Sequence, residues 1–128
     1  MSSVKISRLR TVSDARGLLF EPLDDQGLKR QNNVHIVISE PGIIRGNHRH
    51  IRGSEVAAVQ GPCRVRFEEN GVTTNHEIPD GEVWQFEIPA GVAHAYQNIG
   101  SHPTVLVGFN TELHDPNQPD TERVNLLG

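Results

Sequence analysis

Two histidines, His48 and His50, stand two residues apart in the segment Gly42-Ile-Ile-Arg-Gly-Asn-His-Arg-His-Ile-Arg-Gly-Ser-Glu55, which closes at Gly61. On an extended strand, side chains two apart leave the same face. Two imidazoles on one face, with the carboxylate of Glu55 five residues beyond, suit a divalent-metal ligand set. A second segment, Pro89-Ala-Gly-Val-Ala-His94-Ala-Tyr-Gln-Asn98, is a turn followed by an apolar strand carrying one more histidine. His94, if it turns inward, supplies a further ligand to the first pair. Imidazole titrates near neutrality, so these groups are equally suited to general acid–base work. Seven histidines in 128 residues, beside one Tyr and one Trp, make their placement the informative feature of the composition.

The elements that must position these groups read as strands. Gly or Pro interrupts nearly every window, helical periodicity is hard to find, and short period-two alternation recurs instead. Val34–Ser39 is a β-branched run stopped by Pro41-Gly42. Cys63, Val65 and Phe67 alternate with Arg64, Arg66 and Glu68, which gives one apolar and one charged face. Asn70-Gly71 signals a tight hairpin, with Val72–Ile78 as the return strand. After Pro79-Asp80-Gly81, residues Trp84, Phe86 and Ile88 alternate up to Pro89-Ala90-Gly91, and Thr104–Asn110 places Val105, Val107 and Phe109 on one face. Near the start, Ser13-Asp14-Ala15-Arg16-Gly17 is a polar, hairpin-like turn. Residues 112–122 read as an ordered loop or a short terminal strand. Strands at this spacing with Gly/Pro turns predict an all-β antiparallel sandwich or barrel.

A chain of 128 residues is one domain's worth, so residues 1–128 are expected to share one core. Twelve Lys+Arg against 16 Asp+Glu give a net charge of −4 without a basic stripe, which argues against nucleic acid as a partner. Apolar runs are only a few residues long, so no transmembrane helix is expected. The N-terminus Met-Ser-Ser-Val-Lys-Ile-Ser-Arg-Leu-Arg lacks the apolar stretch of a secretory signal. The one cysteine, Cys63, has no internal disulfide partner. It fits a cytoplasmic location and, on the apolar face of its strand, a buried inert thiol.

The two histidine segments, G-x5-H-x-H-x4-E-x5-G from Gly42 to Gly61 and P-x-G-x2-H-x3-N from Pro89 to Asn98, resemble the paired motifs of the cupin superfamily. The family commonly has six residues between its Glu and the closing Gly, and this chain has five. Either Glu55 or Ser54 therefore takes the acidic ligand position, because a one-residue slip reverses the facing. The resemblance implies a cupin jelly-roll β-barrel and a divalent metal such as Zn, Ni, Mn or Fe on His48, His50, Glu55 and His94.

Within the cupins, Ser39–His50, Asn98-Ile-Gly100 and Glu112–Thr121 are similar to the C-terminal cupin domain of bifunctional capsular polysaccharide synthesis enzymes. That domain is a zinc-containing epimerase of a UDP-linked 4-keto-6-deoxy amino sugar. Ser13–Glu21 resembles the opening of the dTDP-sugar 3,4-ketoisomerases. In the dTDP-4-dehydrorhamnose 3,5-epimerases, the matching R-G-x-H holds the catalytic base, which falls here on His48. All three relatives move protons beside a ketone on a nucleotide-linked sugar, and the resemblance implies an isomerase or epimerase of surface polysaccharide biosynthesis.

Such chemistry needs a base near the C–H and something to stabilise the enolate oxygen. His48 is the candidate base, or it is a metal ligand, since one lone pair cannot serve both. Tyr96, two residues from His94, is either an acid for the opposite side of the sugar or a core aromatic. Arg45 is a candidate grip for the diphosphate. Arg49 has opposite parity to the two histidines and reads as surface, whereas Arg16 is a candidate for the nucleotide. His35 lies on an apolar strand of unassigned facing, and His76, His102 and His114 read as surface histidines near turns. Small barrels of this kind bury a sheet edge against a partner, so a homodimer is expected. The competing readings are a metal cupin dioxygenase or lyase acting on a small acid, and a non-catalytic metal- or sugar-binding cupin.

Overall fold

The computed structural model describes residues 2–128. In chain order the elements are β1 (Lys5–Arg8), β2 (Thr11–Asp14), β3 (Gly17–Phe20), α1 (Asp25–Lys29), β4 (Asn33–Ser39), β5 (Ile44–His50), β6 (Glu55–Gln60), β7 (Cys63–Glu69), β8 (Val72–Ile78), β9 (Val83–Ile88), β10 (Ala93–Asn98), β11 (Thr104–Asn110) and β12 (Thr121–Arg123). Strands β1-β9-β6-β11-β4 form one antiparallel five-stranded sheet, β12-β5-β10-β7-β8 form the second, and β2-β3 stand apart as a hairpin. This is the antiparallel β architecture that the alternation predicts.

The core lies between the two five-stranded sheets. Ala57, Val59, Phe86, Ile88 and Leu106 from one sheet meet Cys63, Val65, Phe67, Ile78 and Tyr96 from the other. Phe67 and Phe86 pack with ring centroids 5.4 Å apart, and burying each such side chain contributes about 2–3 kcal/mol. The alternation in β7 is realised as read, with Cys63, Val65 and Phe67 buried. Asn70 and Gly71 both take positive φ, 52° and 77°, as a type I′ turn requires.

Val105, Val107 and Phe109 share a face as read; it is the outer one, although Phe109 is buried there. Leu106 is the β11 residue in the core, cross-strand from Val59 of β6. β4 faces the same way: Val34, Ile36 and Ile38 are 56%, 67% and 65% exposed while Val37 packs against the core. A five-residue helix, α1, is present where no helix was expected. It is too short to show a periodic pattern, and it is capped by Asp24, whose carboxylate accepts from Gly27 N at 2.7 Å. His76 is not the surface histidine expected near a turn. It sits within β8, half-buried, with its ring 5.8 Å from that of Phe67. Residues 112–122 satisfy both readings, since a loop precedes the short strand β12, which pairs with β5 from His48 to His50. No helix among the described residues is long and apolar enough to cross a membrane.

Candidate functional site

β5 and β10 are adjacent antiparallel strands, and a bulge in β5 sets the facing of the site residues. Tyr96 pairs with Arg45 and Ala95 with Gly46, but His94 pairs with His48, so Asn47 is the extra residue. Gly46 and Asn47 have φ of 88° and 55°, and a Cβ on Gly46 would lie 2.8 Å from the His94 carbonyl oxygen. Glycine is required there on both counts. The Asn47 amide is anchored to the C-terminal tail, accepting from Leu126 N and Leu127 N and donating to Leu127 O, each at 3.0 Å.

Directly paired residues in an antiparallel sheet share a face. His48 and His94 therefore point inward together, and the bulge brings Arg45 to that same face although it stands three residues from His48. Strict alternation would have turned Arg45 away. The side chain of Arg45 is exposed, where β5 runs past the end of β12.

The rings of His48, His50 and His94 form one cluster. Centroids are 5.1 Å apart for His48–His50, 4.8 Å for His48–His94 and 5.5 Å for His50–His94. One nitrogen from each ring lies within 4.8 Å of the others. From the facing sheet, the start of β6 brings in Glu55, 3% exposed, whereas Ser54 faces solvent. The shorter spacing to Gly61 thus leaves Glu55, not Ser54, turned into the barrel. Its Oε2 accepts from the Tyr96 hydroxyl at 3.1 Å and lies 3.2 Å from His94 Nε2. Its Oε1 lies 3.4 Å from His50 Nε2 and 3.9 Å from His35 Nε2. Neither His50 Nε2 nor His94 Nε2 is aligned for a hydrogen bond, although both are buried.

The electrostatics follow from burial and from this crowding. Burial pushes the His48 imidazole down to about 4, helped by the neighbouring His94 and His50, so it stays neutral at physiological pH with a free lone pair. Burial alone would raise Glu55, but His50 and His94 hold it well below the usual carboxylate range. Burial and the Glu55 charge push the Tyr96 phenol well above its ordinary value, so it keeps its proton. His94 Nδ1 lies 3.1 Å from the Val92 carbonyl, which can only accept, so Nδ1 carries a proton. The lone pair of a neutral His94 would then face a carboxylate oxygen at 3.2 Å. Two acceptors at that separation call for a cation, either a proton on Nε2 or a metal ion. Three imidazoles and a buried carboxylate with unpartnered nitrogens are a donor set that fits a divalent metal.

Of the residues expected at the site, His48, His50, Glu55, His94 and Tyr96 are brought together, and Arg45 shares their face. Arg16 is not among them. It lies at the tip of the β2–β3 hairpin with its side chain 90% exposed and folded onto Asp14 at 2.5 Å. Three neighbours escaped sequence reasoning. His35 reaches Glu55 from β4 and lies across Gly108, where a Cβ would be 2.3 Å from its ring. Asn110 Nδ2 is 3.4 Å from His50 Nδ1, and Asp120 Oδ2 is 3.7 Å from the same atom. Only His35 carried a signal, as the polar member of an apolar strand. His35, His50, Asp120 and His114 help to line a cavity of about 100 Å³, so His114, though exposed, borders the site. A larger cavity of about 750 Å³ lies elsewhere, between the β2–β3 hairpin, α1 and the outer-face residues Val56 and Glu87, and none of the histidines lines it.

A family model described as "Polysaccharide biosynthesis C-terminal domain" matches residues 12–122. The spore coat polysaccharide biosynthesis protein SpsL of Bacillus subtilis is 27% identical over 97% of this chain and 89% of its own length. The probable low-salt glycan biosynthesis epimerase Agl13 of Haloferax volcanii is 25% identical over 94% of this chain and 85% of its own. Among solved structures, the capsular polysaccharide assembling protein CapF of Staphylococcus aureus superposes with a TM-score of 0.68 at 29% identity. That match covers 92% of this chain but 33% of CapF, so the present chain spans about a third of that protein. The barrel, the inward histidines and the match across both motif segments lead to one assignment: the chain belongs to the polysaccharide biosynthesis C-terminal domain family.

Proposed function

We propose that this protein is an epimerase or isomerase that exchanges protons beside the ketone of a nucleotide-linked 4-keto-6-deoxysugar, in surface polysaccharide biosynthesis. One observation carries the reading. A neutral imidazole, His48, and a protonated phenol, Tyr96, share an inner barrel face with a buried carboxylate between the phenol and the histidine cluster. His48 accepts the proton from the carbon next to the ketone. Tyr96 holds a proton for the opposite side of the sugar, hydrogen-bonded to Glu55. Arg45, exposed on the same face, would grip the diphosphate bidentately. The names of SpsL and Agl13 support the pathway class.

A divalent ion would be held by His48, His50 and His94, with Glu55, beside His50 and His94, as the acidic ligand. Bound there, it would polarise the ketone as a Lewis acid and stabilise the enolate. His48 would then be a ligand and Tyr96 the remaining proton carrier. The apolar outer face of β4 supports a homodimer, and one buried thiol supports a cytoplasmic location.

The test is proton exchange. In heavy water, a UDP- or dTDP-linked 4-keto-6-deoxyhexose should gain deuterium at C3 or C5. His48→Asn should slow this by roughly two or more powers of ten, the scale for losing a general base. Nucleotide-sugar binding without exchange would leave a binding module instead, and oxygen consumption by the iron-loaded protein would favour a dioxygenase.

A further inference from the structure

His50 is the one cluster histidine whose outer ring nitrogen faces two competing partners. On one side is Asn110, the last residue of β11, 5% exposed and cross-strand from Glu55. The orientation of its amide is fixed by the backbone. Glu112 N–H donates to Asn110 Oδ1 at 2.7 Å, and a backbone N–H can only donate, so the oxygen must be on that side. The amide nitrogen then faces His50 Nδ1 at 3.4 Å as a donor. On the other side is Asp120, whose carboxylate is held by Arg52 N at 2.7 Å and Gly53 N at 2.8 Å. Its Oδ2 stands 3.7 Å from the same Nδ1, beyond hydrogen-bond distance in this arrangement, and on closer approach could only accept from it.

These partners favour opposite tautomers. A ring nitrogen that accepts from Asn110 has no proton of its own, so a neutral imidazole carries its proton on Nε2, which lies 3.4 Å from Glu55 Oε1 without being aligned for a hydrogen bond. A protonated nitrogen cannot ligate a metal. A ring that donates from Nδ1 to Asp120 presents the Nε2 lone pair to the interior instead, the arrangement metal-binding histidines use. Gly53 makes the contest possible, because a Cβ there would lie 2.2 Å from Asn110 Oδ1 and 2.9 Å from Asp120 Oδ2.

We infer that Asn110 is a positioning residue that holds His50 in the Nε2–H tautomer, so that the centre is closed to metal until the ring proton moves to Nδ1 and Asp120 accepts it. The exchange is balanced: one proton leaves Nε2 and one arrives at Nδ1, with no change in the charge of the ring. Metal occupancy is therefore conditional, and weaker than three imidazoles and a carboxylate would otherwise give. This regulation rests on the proposed site but on no particular substrate.

The experiment reads the ring nitrogens directly. In ¹⁵N-labelled protein freed of metal by a chelator, long-range ¹H–¹⁵N correlation should show His50 protonated at Nε2, and added Zn²⁺ should convert it to the Nδ1–H form. Asn110→Ala removes the competing donor without adding charge. It should shift the metal-free ring toward Nδ1–H and tighten Zn²⁺ binding several-fold. Asp120→Asn should weaken Zn²⁺ by about tenfold or more, the usual scale for losing such a partner. A metal-free wild type already protonated at Nδ1 would overturn the inference, and that spectrum decides even if a variant fails to fold. Unchanged tautomer and Zn²⁺ affinity in a folded Asn110→Ala variant would overturn it as well. Failure of the epimerase reading is separate, since it would appear as absent deuterium exchange with the His50 spectrum as expected.

Discussion

Gly46→Ala tests whether the bulge in β5 is what holds His48 against His94. Two costs are expected, and a second glycine separates them. Gly46 has φ of 88° and Gly81 has φ of 82°, so an alanine at either position meets the same left-handed strain. That strain costs about 1 kcal/mol. At Gly81 a Cβ has no neighbour within 4 Å, so Gly81→Ala should cost little more than this. At Gly46 the new Cβ would sit 2.8 Å from the His94 carbonyl oxygen and 3.2 Å from Ala95 Cα, both backbone atoms in a paired strand. Relieving that contact requires β5 and β10 to part, at a cost of roughly 1–3 kcal/mol more, the range for overpacking. Urea denaturation of both variants should thus show Gly46→Ala the less stable by about 1–3 kcal/mol, or a Tm lower by roughly 4–10 °C for a domain of this size. The parted strands should also loosen the His48–His94 contact and lower Zn²⁺ affinity in Gly46→Ala alone. Equal stability of the two variants would refute the argument, because strain would then be the whole effect.

The remaining expectations are simpler. Burial pushes the Cys63 thiol up to about 12, and its side chain is 3% exposed, so at pH 8 a thiol reagent should label it only after unfolding. Native labelling as fast as in urea would contradict this. For the metal-free protein, His48 takes up a proton near 6.5 when unfolded but only near 4 when folded. The unfolded chain binds more protons in that window, so stability is complete above about pH 6.5 and falls as pH drops toward 4. The span is worth at most about 3 kcal/mol, and nearer 1–2 kcal/mol for a half-buried ring. His48→Gln should flatten this slope, and an unchanged slope would sink the assignment. Tyr96→Phe removes the donor to Glu55, so deuterium exchange should persist while net inversion at the sugar carbon falls. Loss of both together would make Tyr96 part of the first proton transfer.

The alternation in β7, the Asn70-Gly71 turn and the two histidine segments were legible because each is a local signal of side-chain facing or turn chemistry. Facing failed where apolar residues lie on both sides of a strand. Val34, Ile36 and Ile38 are more hydrophobic than His35, Val37 and Ser39, yet they point outward, and His35 was left unassigned for that reason. Spacing alone left Glu55 and Ser54 as equals, and only burial separates them. The Gly46-Asn47 bulge changes parity midway along a strand, so counting by twos misplaces Arg45 relative to His48. Asn110 and Asp120 reach His50 from the end of β11 and the C-terminal loop, through contacts no periodic pattern encodes. Arg16 lies apart from the cluster, because a resemblance in the opening segment does not say where a hairpin tip comes to rest.

The strand order described above also bears on how the chain reaches its native state. Among the described residues, only the pairings of β2 with β3 and β7 with β8 join neighbours along the chain. Every other pairing closes a long loop before it returns any contact, which is why such topologies fold in milliseconds to seconds rather than microseconds. His48 and His50 are near one another from the start, but His94 arrives only when β10 meets β5, and Glu55 only when the two sheets pack together. During that interval a transition metal in solution meets a free His-x-His pair on a collapsed chain. An ion captured there would bridge non-native partners and slow the closure of the barrel. Refolding in the presence of chelator, with metal added only afterward, should therefore recover more native protein than refolding with metal present throughout.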